Sequence, residues 1–235
     1  MKSDLTLINI REEILSENKE LADQLRVRLR ERQVYLVNLM SAPGSGKTSL
    51  ILRTVAALRG TFRIAVIEGD VDSAVDAERV AAEEIPAVQI KTGGSCHLTA
   101  AMVERGLAAL PLDSLDLLFL ENIGNLICPV GSDTGANLNV ALVSIPEGDD
   151  KPLKYPKIFK TSDAFVVNKT DVQAYFDFDL EAFRSRVRRL NRDAPIFEVS
   201  CKTGEGLDVW SAWLAERVRT EFRVAATQPD GLAGR

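Results

Sequence analysis

The chain has 235 residues, a formal net charge of −5 and 46% hydrophobic residues, which suits one domain with small appendages and a core that needs no staples. The mild acidity argues against a nucleic-acid binder, and no apolar run approaches the ~20 residues that span a bilayer. Residues 1–13, MKSDLTLINIREE, lack the apolar stretch of a signal peptide, so the protein reads as soluble and cytoplasmic, with no nucleic-acid or membrane partner.

Residues 9–32 place Ile10, Ile14, Leu21, Leu25 and Leu29 at helical spacing with charges between, which predicts an amphipathic helix packed on the domain. Residues 34–40, VYLVNLM, form a continuous apolar run of strand length, as expected of a parallel strand buried on both faces. A helix is predicted over 47–58, a strand over 62–69, a helix over 77–84, a short strand at 88–90 and a helix over 98–107. Further strands are predicted at 115–122, 140–145, 164–169 and 196–200, and helices at 179–190 and 207–222. Strands and helices alternate, so the fold class is α/β: a mostly parallel central sheet flanked by helices.

The first strand runs into residues 41–48, SAPGSGKT. This is the phosphate-loop pattern G-x-x-x-x-G-K-[ST] with Ser41 in place of the first glycine. Gly44 and Gly46 let the backbone curl, so the N–H groups around Ser45 point inward on phosphate oxygens. Lys47 reaches the β- and γ-phosphates, Thr48 gives its hydroxyl to Mg²⁺, and the following helix adds its positive end. The organisation is then an N-terminal helical extension over 1–33, a P-loop NTPase domain over 34–222 and a flexible tail over 223–235.

After a later strand stands Asn168-Lys169-Thr170-Asp171, an N-K-x-D motif. A carboxylate at Asp171 accepts from both N1–H and the 2-amino group of guanine. Adenine offers neither donor, so ATP would leave a buried acceptor unmet. Asn168 braces neighbouring loops, and the Lys169 stem lies along the base. Ser200-Cys201-Lys202 resembles the S-A-K loop that supports guanine O6, with cysteine for alanine. The nucleotides expected are therefore GTP and GDP.

Two strand ends, IEGD (67–70) and LENIG (120–124), carry the acids expected near Mg²⁺, with Asp70 and Glu121 as the candidates. Gly124, in E-N-I-G for the usual D-x-x-G, brings its N–H toward the γ-phosphate. Asp76 either orients water or caps the following helix. The sequence offers no evident arginine finger or glutamine, so intrinsic turnover is expected to be slow.

The three cysteines, Cys96, Cys128 and Cys201, are too few and odd in number for a disulfide framework. Cys96 and the single histidine, His97, sit side by side after Gly93-Gly94, and Cys128 follows the Glu121 strand. If the segments converge, they offer three ligands to Ni²⁺ or Zn²⁺, which takes about four. Water or a second subunit completes the shell. Adjacent Cys96 and His97 can share an ion only from an irregular loop or a helix's first turn. Cys201 belongs to the base loop.

These motifs, together with EGDDKPLKYP at 147–156, resemble the HypB family, the nickel-incorporation GTPases of hydrogenase maturation, over about residues 10–213. The sister urease accessory GTPase, with Cys-Pro-His in place of adjacent Cys96-His97, fits less well. The resemblance implies a SIMIBI-class GTPase that forms a homodimer with nucleotide, with Lys154 in a switch or dimer role. It implies a nickel or zinc site from Cys96, His97 and Cys128, a HypA-like nickel-binding partner and delivery to the hydrogenase large-subunit precursor. The N-terminus lacks the Cys-rich or His-rich run of some members, so a separate high-affinity or storage site is not expected.

Overall fold

A computed structural model describes residues 10–73 and 75–222. The expected tail over 223–235, the first nine residues of the extension, and the side chains of Ile10 and Ile14 lie outside the described part. Seven strands form one sheet: β1 (Tyr35–Ser41), β2 (Ile64–Asp70), β3 (Ala87–Lys91), β4 (Leu117–Glu121), β5 (Leu138–Ser144), β6 (Ala164–Asn168) and β7 (Ile196–Glu198). Their order is β3-β2-β4-β1-β5-β6-β7 and every pairing is parallel. The helices are α1 (Ile10–Glu31), α2 (Lys47–Leu58), α3 (Val75–Ala81), α4 (Ala100–Ala108), α5 (Lys151–Lys154), α6 (Pro156–Thr161), α7 (Leu180–Leu190) and α8 (Leu207–Phe222).

Alternation along β1 shows how the apolar runs are used. Tyr35, Val37 and Leu39 face a core shared with Leu50, Ile51 and Val55 of α2 and Trp210, Leu214 and Val218 of α8. Leu36, on the opposite face, joins Ala22, Leu25 and Leu29 of α1 and Val103 and Leu107 of α4. Both faces are covered, which is why these strands read as unbroken hydrophobic runs. The apolar stripe of α1 thus packs on the sheet, and Arg26 pins the helix to Asp133 at 2.5 Å.

Several boundaries differ from expectation for local reasons. Strand β2 starts at Ile64 because Phe62 N still donates to Leu58 O (2.9 Å), closing the end of α2. Helix α4 starts at Ala100 because Thr99 is its N-cap, accepting from Met102 N. Helix α3 covers Val75–Ala81, and the chain leaves it through Glu84 in a left-handed conformation (φ +61°) ahead of Pro86. Helices α5 and α6 have no counterpart in the periodicity reading; each is about one turn long with proline near its start.

Because all strands are parallel, their carboxyl ends share one edge, where open α/β sheets bind ligands. Ser41, Asp70, Glu121, Ser144 and Asn168 close β1, β2, β4, β5 and β6 there. Among the described residues no helix is long and apolar enough to cross a membrane.

Candidate nucleotide and metal site

The phosphate loop joins the central strand β1 to α2. Gly44 (φ +76°) and Gly46 (φ +102°) both take left-handed backbone, and a Cβ on Gly46 would lie 2.4 Å from Asn168 Nδ2. Lys47 Nζ donates to Ser41 Oγ at 3.2 Å. The serine that replaces the usual first glycine therefore holds the lysine at the mouth of the loop. Ser45 is fully buried, and its hydroxyl lies 2.6 Å from Glu147 Oε2 and 2.9 Å from Ala42 O.

The base side is equally built. Asn168 Nδ2 donates to Ser45 O (2.9 Å) and Asn168 Oδ1 accepts from Cys201 N (3.2 Å), so this side chain ties phosphate loop to base loop. Lys169 Nζ donates to Gly44 O (2.7 Å), laying its stem across the loop. Ser200 Oγ donates to Asp171 Oδ1 at 2.6 Å and orients that carboxylate. Arg53 of α2 donates to the carbonyls of Cys201 (2.8 Å) and Lys202 (3.3 Å), a support that sequence reasoning missed. A cavity lined by Gly46, Asn168, Lys169, Asp171, Cys201 and Lys202 lies between them. Burial pushes the Cys201 thiol up to about 11, so it presents S–H rather than thiolate to that cavity.

The acids gather differently from expectation. Glu121, at the end of β4, accepts from Thr48 Oγ1 at 2.9 Å. Oxygens of Glu68, Asp76 and Glu121 lie within 4.8 Å of one another. Asp70 is not one of these three, although its charge acts on Glu68: its Oδ1 accepts from Asp72 N (3.0 Å) and Ser73 N (2.7 Å), fixing the loop after β2. Asp76 sits in the first turn of α3 with its carboxylate turned into the cluster and paired with Arg79 (3.1 Å). Glu68 is the acid sequence reasoning missed; its only signal is a carboxylate inside an apolar strand. Burial, then the neighbouring Glu121 charge, raises Glu68 to about 8. Burial raises Glu121 to about 7 against the opposing pull of Lys47 and Thr48. Glu68 and Glu121 are each 3% exposed and each keeps one buried oxygen without a partner. Orphaned carboxylate oxygens beside a threonine hydroxyl fit a hard divalent cation such as Mg²⁺. Gly124 lies against the phosphate loop, where an added Cβ would come within 2.8 Å of Pro43.

The soft ligands converge on the same edge. Ligand atoms of Cys96, His97 and Cys128 lie within 4.8 Å of one another, and Cys96 Sγ is 3.6 Å from His97 Nδ1. Cys96 and His97 occupy an irregular loop between β3 and α4. Gly93 (φ +62°) and Gly94 (φ +130°) turn it, and Thr92 Oγ1 to Ser95 O (2.9 Å) and Ser95 Oγ to His97 O (2.8 Å) hold it. Burial lowers the His97 pKa and so favours the neutral imidazole a metal needs. Hydrogen bonding with the Cys128 thiol raises that of Cys96. Asn125 Nδ2 reaches Cys128 Sγ at 3.3 Å, and Cys128 itself is half-buried. Two thiols and an imidazole form a donor set for a borderline-soft ion.

The sequence profile of the CobW/HypB/UreG nucleotide-binding domain matches residues 35–198, from β1 to the end of β7. The chain belongs to the CobW/HypB/UreG family. Within the family it is similar to the hydrogenase maturation factor HypB of Azotobacter vinelandii, 44% identical over 94% of this chain and 73% of that protein. It superposes on the crystal structure of Helicobacter pylori HypB in complex with nickel with a TM-score of 0.83, at 36% identity over 91% of this chain and 99% of the other. Archaeoglobus fulgidus HypB gives a TM-score of 0.81, at 41% identity over 86% and 99% of the chains.

The HypB-like stretch at 147–156 has a physical use for each acid. Glu147 accepts from Ser144 N (2.8 Å) and reaches Ser45 of the phosphate loop. Asp149 pairs with Arg186 (2.6 Å) and accepts from Asp179 N (2.9 Å), docking α7. Asp150 pairs with Lys154 at 2.5 Å; this exposed ion pair lowers the Asp150 pKa and raises that of Lys154. Lys154 therefore stands on the surface, outside the carboxylate and thiol clusters.

Proposed function

We propose that the protein is a GTP-hydrolysing nickel metallochaperone: it hydrolyses GTP to GDP and phosphate and uses that cycle to release nickel, or zinc, from Cys96, His97 and Cys128. The observation that carries this reading is the placing of two donor sets on one sheet edge, a soft Cys-His-Cys trio beside a phosphate loop and carboxylate cluster. The printed names of its relatives, hydrogenase maturation factors of which one is solved with nickel, support nickel as cargo and hydrogenase maturation as the setting. In this reading the hydrogenase large-subunit precursor is the recipient, a HypA-like nickel-binding protein the partner and a homodimer the working form.

In this reading the N–H groups of the loop around Gly44, Ser45 and Gly46 and the Lys47 ammonium hold the β- and γ-phosphates. Thr48 and Glu121, with Asp76 and Glu68 behind them, would hold Mg²⁺, and Asp70 shapes the adjoining loop. Held there, Mg²⁺ would supply positive charge against the charge developing on the transferred phosphoryl group. Gly124 brings its N–H to the γ-phosphate from the Pro43 side. Asp171, braced by Ser200, accepts the two guanine donors. Slow turnover is expected, since the sequence offers no evident arginine finger or glutamine.

The test is turnover of GTP, ATP and xanthosine triphosphate by wild type, Lys47→Ala and Asp171→Asn, with nickel binding measured alongside. Wild type should prefer GTP over ATP by at least a hundredfold, and Lys47→Ala should lose turnover while still binding nickel. Asp171→Asn should shift preference to xanthosine triphosphate, whose 2-oxo group replaces the donor amine. Equal use of ATP and GTP by the wild type would defeat the guanine assignment. Unaltered nickel stoichiometry in Cys96→Ala would defeat the metal assignment.

A further inference from the structure

The loop that carries Cys96 and His97 is fastened to both carboxylate-bearing strand ends. Leu98, the residue after His97, donates its N–H to Asn122 Oδ1 at 3.1 Å, and Asn122 directly follows Glu121. The same oxygen accepts from Ile123 N (3.0 Å), and Asn122 Nδ2 donates to Asn38 Oδ1 (3.1 Å) in β1. Asn122 is fully buried. On the other side, the Leu98 side chain lies flat on Gly69, between Glu68 and Asp70; a Cβ there would come within 2.7–2.9 Å of it. Thr92 N and Gly93 N donate to Asp70 O and Val71 O, both at 3.0 Å.

The segment 121–128 carries the rest of the linkage. Glu121 bonds Thr48, Gly124 packs on Pro43, and Asn125 Oδ1 accepts from Ile127 N (2.7 Å) and Cys128 N (3.1 Å). One stretch of eight residues therefore meets the nucleotide side at its start and supplies the third metal ligand at its end.

We propose that Asn122 is a positioning residue that couples nucleotide state to metal affinity. A shift of the 121–124 segment between GDP and GTP moves the Asn122 side chain, which carries the Leu98 peptide with it and alters the placement of His97 relative to Cys128. The inference rests on the reading of Cys96, His97 and Cys128 as the cargo site. Asn18 of α1 is its natural control. It accepts from Ala100 N (2.9 Å), at the start of α4 just past the Cys96-His97 loop, and donates to Asp133 O (2.8 Å), just past Cys128, so it steadies the chain beyond both ligand segments without touching residues 121–124.

The experiment is equilibrium titration with Ni²⁺ alone of the full chain, loaded with GDP or with a non-hydrolysable GTP analogue. The variants are Asn122→Ala, Asn122→Asp, Asn18→Ala and Cys96→Ala, each checked for folding by circular dichroism. Wild-type affinities should differ between nucleotide states within the usual span of such couplings, about 5–150-fold. Asn122→Ala should bring the ratio close to one. Asn122→Asp, which keeps the acceptor for Leu98 N–H but loses the donor to Asn38, should retain more of it than Asn122→Ala. Asn18→Ala should weaken nickel in both states by the same factor and leave the ratio intact, as a merely structural contact would. If Asn122→Ala does not fold, Asn122→Leu, of similar volume and without the acceptor, takes its place. A wild-type ratio of one, a wild-type ratio in Asn122→Ala, or an equal collapse in Asn18→Ala would overturn the inference. Tight nickel binding by Cys96→Ala would instead overturn the cargo-site reading on which it rests.

Discussion

Glu68 and Glu121 are two acids that burial holds partly protonated near neutral pH, at about 8 and about 7 against an ordinary 4.5. The sign of the consequence follows from proton counting. Between pH 4.5 and 8 the folded chain keeps protons that the unfolded chain has released, so stability is greatest below that window and falls as pH rises through it. Without nucleotide and divalent ion, the melting temperature should therefore decline from about pH 5 to pH 8.5. Glu68→Gln removes the group that ionises last. It should match wild type at pH 5 and melt higher at pH 8.5, by ~2–4 °C for each ~1 kcal/mol recovered in a chain of this size. Mg²⁺ should raise wild type at pH 8.5 more than it raises the variant, because it meets charge the variant lacks. Thermal melts across that pH range, with and without Mg²⁺, decide the matter; a flat wild-type curve would show that the pair bears no such load.

Strand β2 and the loop after β3 are joined through Gly69 and Leu98, and that contact can be measured as a coupling. Gly69→Ala places a methyl within 2.7–2.9 Å of a fully buried leucine. Overpacking of this kind costs about 1–3 kcal/mol. Leu98→Ala alone leaves a cavity costing about 2–5 kcal/mol. In the double variant the new methyl enters the space the leucine vacated, so the loss should be smaller than the sum of the two. Denaturant titrations of the four proteins give the interaction energy directly; strict additivity would mean that the loop yields freely there. Much of this element-level structure is legible from the order of residues. β1, β4 and β6 are nearly continuous apolar runs, the glycines of the phosphate loop fall where φ is positive, and N-K-x-D follows a strand. What escapes is whatever tertiary contact alone defines. Helices α5 and α6 are too short to show a period. Asn122 reads as filler inside E-x-x-G, and Asn18 as one polar residue on an amphipathic helix. Glu68 is overshadowed by Asp70 two residues on, whose Oδ1 holds the loop after β2.

At the scale of the whole molecule, the thiol-imidazole trio is incomplete by itself. Three ligand atoms come together, one of them on the exposed Cys96, and a nickel or zinc ion takes about four. Two exposed apolar side chains stand on the segments that carry the two clusters: Ile127, beside Cys128, is 67% exposed, and Val75, beside Asp76, is 60% exposed. Apolar side chains on the very segments that bear metal ligands and nucleotide-side acids suit burial against a second copy, which would supply a further ligand across a two-fold axis to complete the shell. Residues 121–128 touch both sites, so under the coupling proposed above this face would change with the nucleotide. The expected outcome is a monomer with GDP and no metal, and a dimer with the GTP analogue that Ni²⁺ tightens further. Ile127→Asp should weaken that dimer at least tenfold by placing a charge at its centre, while Cys96→Ala should remove only the contribution of nickel. Sedimentation velocity of each protein across a concentration series reads both effects. A monomer in every nucleotide and metal state would mean that water, or the protein receiving the cargo, supplies the missing ligand. In that case, acid should still loosen the metal, since both thiols must lose their protons to bind it, and the loosening would be independent of protein concentration.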